Sequence, residues 1–69
     1  MAERLANRLK ERRTELGLTQ AELAAFCGVS RKTVNTVENA VFVPSTLLAL
    51  KLAKALGHPV ETLFFITSD

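Results

Sequence analysis

Residues 16–39 read LGLTQAELAAFCGVSRKTVNTVEN and contain two helix starts and two helix stops within 24 positions. Thr19-Gln20-Ala21-Glu22 fits a capping box, in which a hydroxyl caps the first turn and a glutamate reaches back to the cap. The helix it opens extends to about Cys27, where Gly28 breaks it. Leu23, Ala24 and Cys27 share one face, so Cys27 reads as a small core hydrophobe rather than a reactive thiol. Phe26 falls off that face. Ser30 caps the next helix, about 31–38, whose apolar side carries Val34 and Val37.

Upstream, residues 2–16 carry Leu5, Leu9 and Leu16 at helical spacing and end at Gly17, which predicts a first helix. Arg4, Arg8 and Arg12 recur every four residues as a basic stripe, either a solvated face or a phosphate-facing flank. Arg13 falls on the apolar stripe of Leu5 and Leu9, and a charge there needs a partner. Glu38, four residues after Val34, lies on the apolar stripe of its own helix. Two misplaced charges of opposite sign predict a buried Arg13–Glu38 salt bridge.

Downstream, 39–44 is a connection with an apolar Val41-Phe42-Val43. Ser45 caps a fourth helix that runs to about Leu56 and stops at Gly57. Lys51 and Lys54 mark its solvent side, and Leu47 shares that stripe. Pro59 stands near the first turn of a short fifth helix, about 60–65, with Val60, Leu63 and Phe64 inward and Phe65 and Ile66 left over. The tail Thr67-Ser68-Asp69 is expected to fray or to add a short strand. The predicted fold is all-α, with five helices in a single domain spanning 1–69.

Composition narrows the function. Hydrophobic residues make up 48% and charged residues 23%, a balance that favours a folded chain over a disordered one. One Cys and one His exclude a disulfide framework and a Cys- or His-rich metal site, so no metal and no cofactor are expected. With no Tyr, one His and seven scattered carboxylates, no acid–base or nucleophile set is visible, and an enzyme is not expected. Apolar runs such as Leu47-Leu48-Ala49-Leu50 are too short for a membrane span. The charged start MAERLANRLKERR is no secretory signal, so the cytoplasm is the expected location. Net charge is only +2, but residues 1–38 hold seven Lys or Arg against five Glu, while 39–69 hold two of each sign.

That excess falls on the paired helices. A short helix, a turn and a second helix over 19–38 form a helix-turn-helix pattern, which lets the second helix enter a DNA major groove. Arg31 and Lys32 place two cations in a first turn, where the helix macrodipole favours anions by about 0.3–1 kcal/mol each. With Thr33, Asn35 and Thr36 they suggest a face reserved for an external polyanion. Arg31 and Lys32 can donate to guanine O6 and N7, and Asn35 can read adenine or touch phosphate. The alternative is a solvated helix end.

The stretch 16–39, continued by VPSTLLALKLAKALGHPVETLF, resembles the Cro/CI-type (XRE-family) helix-turn-helix domain over roughly residues 4–65. The matching positions include Thr19-Gln20, Leu23-Ala24, Gly28, Ser30, Val34, Val37-Glu38-Asn39, Pro44-Ser45 and Ala55-Leu56-Gly57. The resemblance implies a five-helix lambda-repressor-like domain that binds operator DNA as a symmetric dimer. Arg31, Lys32 and Thr36 then stand at base-reading positions, with Asn35 beside them. Gln20 and Asn39 stand at phosphate-contacting positions, and Thr19, Ser30 and Thr33 complete that set. The pair Arg13 and Glu38 matches a buried salt bridge of some phage repressors. Asn39-Ala40-Val41 departs from the family's usual Asn-Gly-Lys/Arg, and Phe26, Leu47 and His58 depart from its usual residue types.

One recognition helix offers too little contact for tight specific binding, so a homodimer spanning two half-sites is expected. Leu47, Val60, Phe64, Phe65 and Ile66 are the expected interface. The expected function is a sequence-specific transcriptional regulator, in the repressor sense, binding a palindromic operator, with no membrane and no small-molecule ligand involved. The alternatives are an antitoxin or other protein-interaction module using the Val41-Phe42-Val43, Leu47 and Phe26 surface, and a restriction–modification controller protein.

Overall fold

A computed structural model describes residues 2–68. In chain order the elements are β1 (Glu3–Asn7), α1 (Leu9–Glu15), α2 (Gln20–Cys27), α3 (Arg31–Glu38), α4 (Thr46–Leu56), α5 (Val60–Leu63) and β2 (Phe64–Ser68). Three of the starts follow from their caps. Thr19 Oγ1 accepts from the Glu22 N–H, and Glu22 returns a carboxylate to the Thr19 N–H. That N–H bond holds the Glu22 carboxyl below its ordinary pKa. Ser30 and Ser45 accept from the N–H groups of Thr33 and Leu48. Gly28 and Gly57 close α2 and α4 in the left-handed region, where a Cβ is costly.

The all-α expectation is corrected at both ends. Residues 3–7 form a strand, not the first half of a helix, and β2 replaces the end of the expected fifth helix. The strands pair antiparallel, with Leu5 opposite Ile66 and Asn7 opposite Phe64. FFITS is rich in aromatic and β-branched residues that suit a pleated, half-buried surface. Its backbone groups need a partner, and the segment 3–7 supplies it. Asn7 stops the strand and starts α1: its Oδ1 accepts from the Leu9 N–H at 3.1 Å. Its Nδ2 donates to the Val37 carbonyl at 2.9 Å, tying the start of α1 to the end of α3. Of the expected tail, Thr67 and Ser68 extend β2, and Asp69 lies outside the described residues.

The Arg4/Arg8/Arg12 stripe does not exist as a helical face. Arg4 lies in β1, Arg8 stacks on the Phe65 ring at 4.3 Å, and Arg12 Nε donates to the Leu56 carbonyl at the end of α4. Leu9, Leu23, Ala24, Cys27, Val34, Val37, Leu48, Leu52, Ala53, Leu56, Leu63 and Phe64 form the core. Burial raises the pKa of the Cys27 thiol, as its place in the core demands. Among the described residues no helix is long and apolar enough to cross a membrane.

The end of α3 is strained. Ala40 takes φ 59°, the left-handed conformation usually given to Gly. The bonds Ala40 N–H to Val37 O and Val41 N–H to Thr36 O close the helix in a Schellman pattern. Ala40→Gly is therefore expected to stabilise the fold by about 0.5–1 kcal/mol, the relief of a Cβ in this region less the extra chain entropy of Gly. Urea unfolding measures it, and an unchanged or lowered midpoint would contradict the strain.

Candidate nucleic-acid interface

α2 and α3 meet across the Gly28 turn, and α3 turns its Val34–Val37 side into the core. Its other side carries the candidate readers. Arg31 and Lys32 are exposed, whereas Asn35 and Thr36 are half-buried. Neither cation faces a carboxylate in the first turn of α3, which contains no acidic residue.

Underneath lies the pair expected from the misplaced charges. Arg13 and Glu38 form a two-pronged contact, Nε to Oε2 at 2.6 Å and Nη2 to Oε1 at 3.1 Å. The two side chains are only 12% and 3% exposed. Hydrogen bonding to Glu38 raises the Arg13 pKa. Arg13 Nη1 also donates to the Leu18 carbonyl, which pins the α1–α2 connection.

Gln20 extends this network to the surface. Its Nε2 donates to Glu38 Oε1 at 3.1 Å, while its Oε1 accepts from Arg31 Nη1 at 3.3 Å. Both ends of an amide expected to face phosphate are thus engaged within the chain, leaving one Nε2 hydrogen for an outside acceptor. Thr19 Oγ1 caps Glu22. Ser30 and Thr33 share a 2.9 Å hydroxyl contact. Asn39 Nδ2 donates to the Asn35 carbonyl at 2.9 Å. Each of these expected phosphate contacts has a local partner as well as an accessible surface.

Lys32, Thr33 and Thr36 line a shallow groove of about 330 Å³ with Ser30, Val41 and Phe42. No carboxylate lines it. Arg31 leaves this groove on the side of Gln20. The candidate readers therefore form two groups on one helix.

The expected dimer surface divides. Phe64 belongs to the core, because β1 and α5 cover it, and it is corrected out of the interface set. Phe65 lies under Arg8. Leu47 faces Val29, Phe42 and Lys51 between α2 and α4, apart from Ile66. Leu50, absent from the expected set, is 55% exposed beside Leu5 and Val60. Its stripe carries Thr46 and Lys54, four residues to either side, and that spacing marks Leu50 as outward in the same way that Lys51 marks Leu47. Asn7 and Arg12, which bind α1 to its neighbours, are invisible from spacing. Among the described residues no group of three His, Cys, Asp or Glu could hold a metal ion.

Known proteins share this arrangement. A helix-turn-helix family matches residues 9–63. An uncharacterised HTH-type transcriptional regulator of Methanothermobacter thermautotrophicus is 44% identical over 62 residues, covering 88% of this chain and 90% of its own. The uncharacterised HTH-type regulator YgzD of Bacillus subtilis is 38% identical over 65 residues, covering 94% and 98%. Among solved structures, the restriction-modification controller protein C.AhdI from Aeromonas hydrophila superposes with a TM-score of 0.74 at 39% identity. That match covers 78% of this chain and 82% of C.AhdI. With the paired helices, their caps and the match over 9–63 in agreement, the chain belongs to the XRE type of the helix-turn-helix family.

Proposed function

We propose that this regulator binds a palindromic operator as a homodimer and represses from it. The observation that carries the reading is the first turn of α3: Arg31 and Lys32 are exposed there against the helix macrodipole. A domain optimised for folding alone would favour acids at that end. A duplex restores the balance, because it brings anionic phosphates and guanine acceptors to those cations. Arg31 Nη1 rests on Gln20, so part of the side chain's ordering cost is met before DNA arrives.

A two-fold dimer places two such helices about 34–36 Å apart, one turn of DNA. Leu50 and Ile66, 55% and 67% exposed, support a self-association surface: Leu50 lines a hollow with Leu5 and Val60, and Leu5 pairs with Ile66 across the ribbon. A second reading, a restriction–modification controller, is favoured by the likeness to C.AhdI and predicts the same dimeric binding.

Selection of bound sites from a random DNA pool tests the proposal. The parent protein is expected to return an inverted repeat and to sediment as a dimer. Arg31→Ala is expected to lose about 1–3 kcal/mol of discrimination at one base pair per half-site. Asn39→Ala should weaken all sequences alike, the mark of a phosphate contact. Unchanged affinity and an unchanged motif for Arg31→Ala would remove α3 as the reader. A monomer at high micromolar concentration, with and without DNA, would remove the dimer.

A further inference from the structure

The connection after α3 leaves Val41 78% and Phe42 49% exposed. Both are held rather than loose. The left-handed turn at Ala40 sends the chain back along α3, and the N–H groups of Val41 and Phe42 both donate to the Thr36 carbonyl, at 2.9 and 3.1 Å. The two side chains thereby become one wall of the groove whose other lining is Ser30, Lys32, Thr33 and Thr36. An ordered, solvent-facing apolar wall beside cationic and hydroxyl side chains, with no acid in the lining, suits a polyanion that also presents apolar groups.

Resting on the DNA reading above, we infer that Val41, supported by Phe42, reads a thymine by packing against its C5-methyl group. That methyl is the apolar feature of the major-groove edge, and it distinguishes a T·A pair from the other pairs. Lys32 and Thr36 of the same groove bind the polar atoms of the neighbouring pairs. The loop thus reads sequence, whereas an Asn-Gly-Lys sequence in its place would offer a phosphate cation. Arg31, on the Gln20 side of α3, is outside this contact.

The test uses synthetic duplexes carrying the motif that the parent protein selects, with each thymine replaced in turn by deoxyuridine, which lacks only the methyl. The parent is expected to bind about fourfold more weakly when one particular thymine of a half-site loses its methyl, the effect of one buried methyl group. Val41→Ser should lower affinity for the intact site by a similar factor, show no further loss at that deoxyuridine, and keep its guanine preference. Val41 is exposed, so the variant should remain folded, and its thermal melt verifies this. A flat deoxyuridine scan with the parent overturns the inference while leaving the regulator reading intact. So does a deoxyuridine effect that persists in Val41→Ser, or a variant that binds every duplex as the parent does, the result expected if the wall serves a protein partner. A parent that selects no motif overturns both.

Discussion

Glu38→Gln is expected to destabilise the fold by about 3–5 kcal/mol, because it strands the Arg13 charge in a largely shielded site. Shape is retained, so packing contributes little to the loss. The new amide NH2 must face either Arg13 or the Gln20 Nε2, and both are donors to the present carboxylate. Arg13 retains the Leu18 carbonyl as an acceptor, which offsets only part of the loss. The effect is a large fraction of the roughly 3–10 kcal/mol expected for a domain of this size. Replacing both partners together, Arg13→Met with Glu38→Leu, should recover most of it, because neither charge then remains buried. Urea titrations of the singles and the double measure the cycle. A Glu38→Gln midpoint within experimental scatter of the parent would show that the pair contributes nothing.

Leu23→Ala should cost about 2–5 kcal/mol, with the upper part of that range applying if the surrounding helices cannot close on the space. Leu23 has 0% of its surface exposed and packs in the cluster that joins α2 to α3 and α4. A void there also loosens the support that fixes the angle between the paired helices, so DNA affinity should fall in the molecules that remain folded. Leu16→Ala is the matched control: the same atoms are removed from a site that is 43% exposed, and the cost should stay below about 0.5 kcal/mol. Equal losses at the two positions would contradict the burial difference.

The parts of this fold that were legible in the sequence are those fixed locally. Thr19, Ser30 and Ser45 announce α2, α3 and α4 because each cap bonds within its own first turn. The two charges on apolar stripes were also legible, since each violated its own helix and their signs were complementary. β1 was not. Leu5 and Leu9 satisfy a helical period, while Glu3, Leu5 and Asn7 satisfy an alternating one, and local sequence cannot choose between them. The choice is made by β2, at the far end of the chain. Asn7 illustrates the same limit: its amide binds the Val37 carbonyl, thirty positions away. At the site, the residue types on α3 were readable, but their division was not. Gln20 bridges Glu38 and Arg31 only once three elements are assembled, and the Val41 wall depends on the backbone turn at Ala40.

The β1–β2 pairing sets an order of events for the chain. The helices and their caps form from neighbouring residues, which is fast. The ribbon joins segments separated by all five helices, and only after those helices have docked are its two strands held near each other. Its closure entropy is then largely settled in advance. The ribbon therefore acts as a late clasp on a preassembled body. β1 is made before its partner β2, so its ladder groups can pair with β2 only once β2 has left the ribosome.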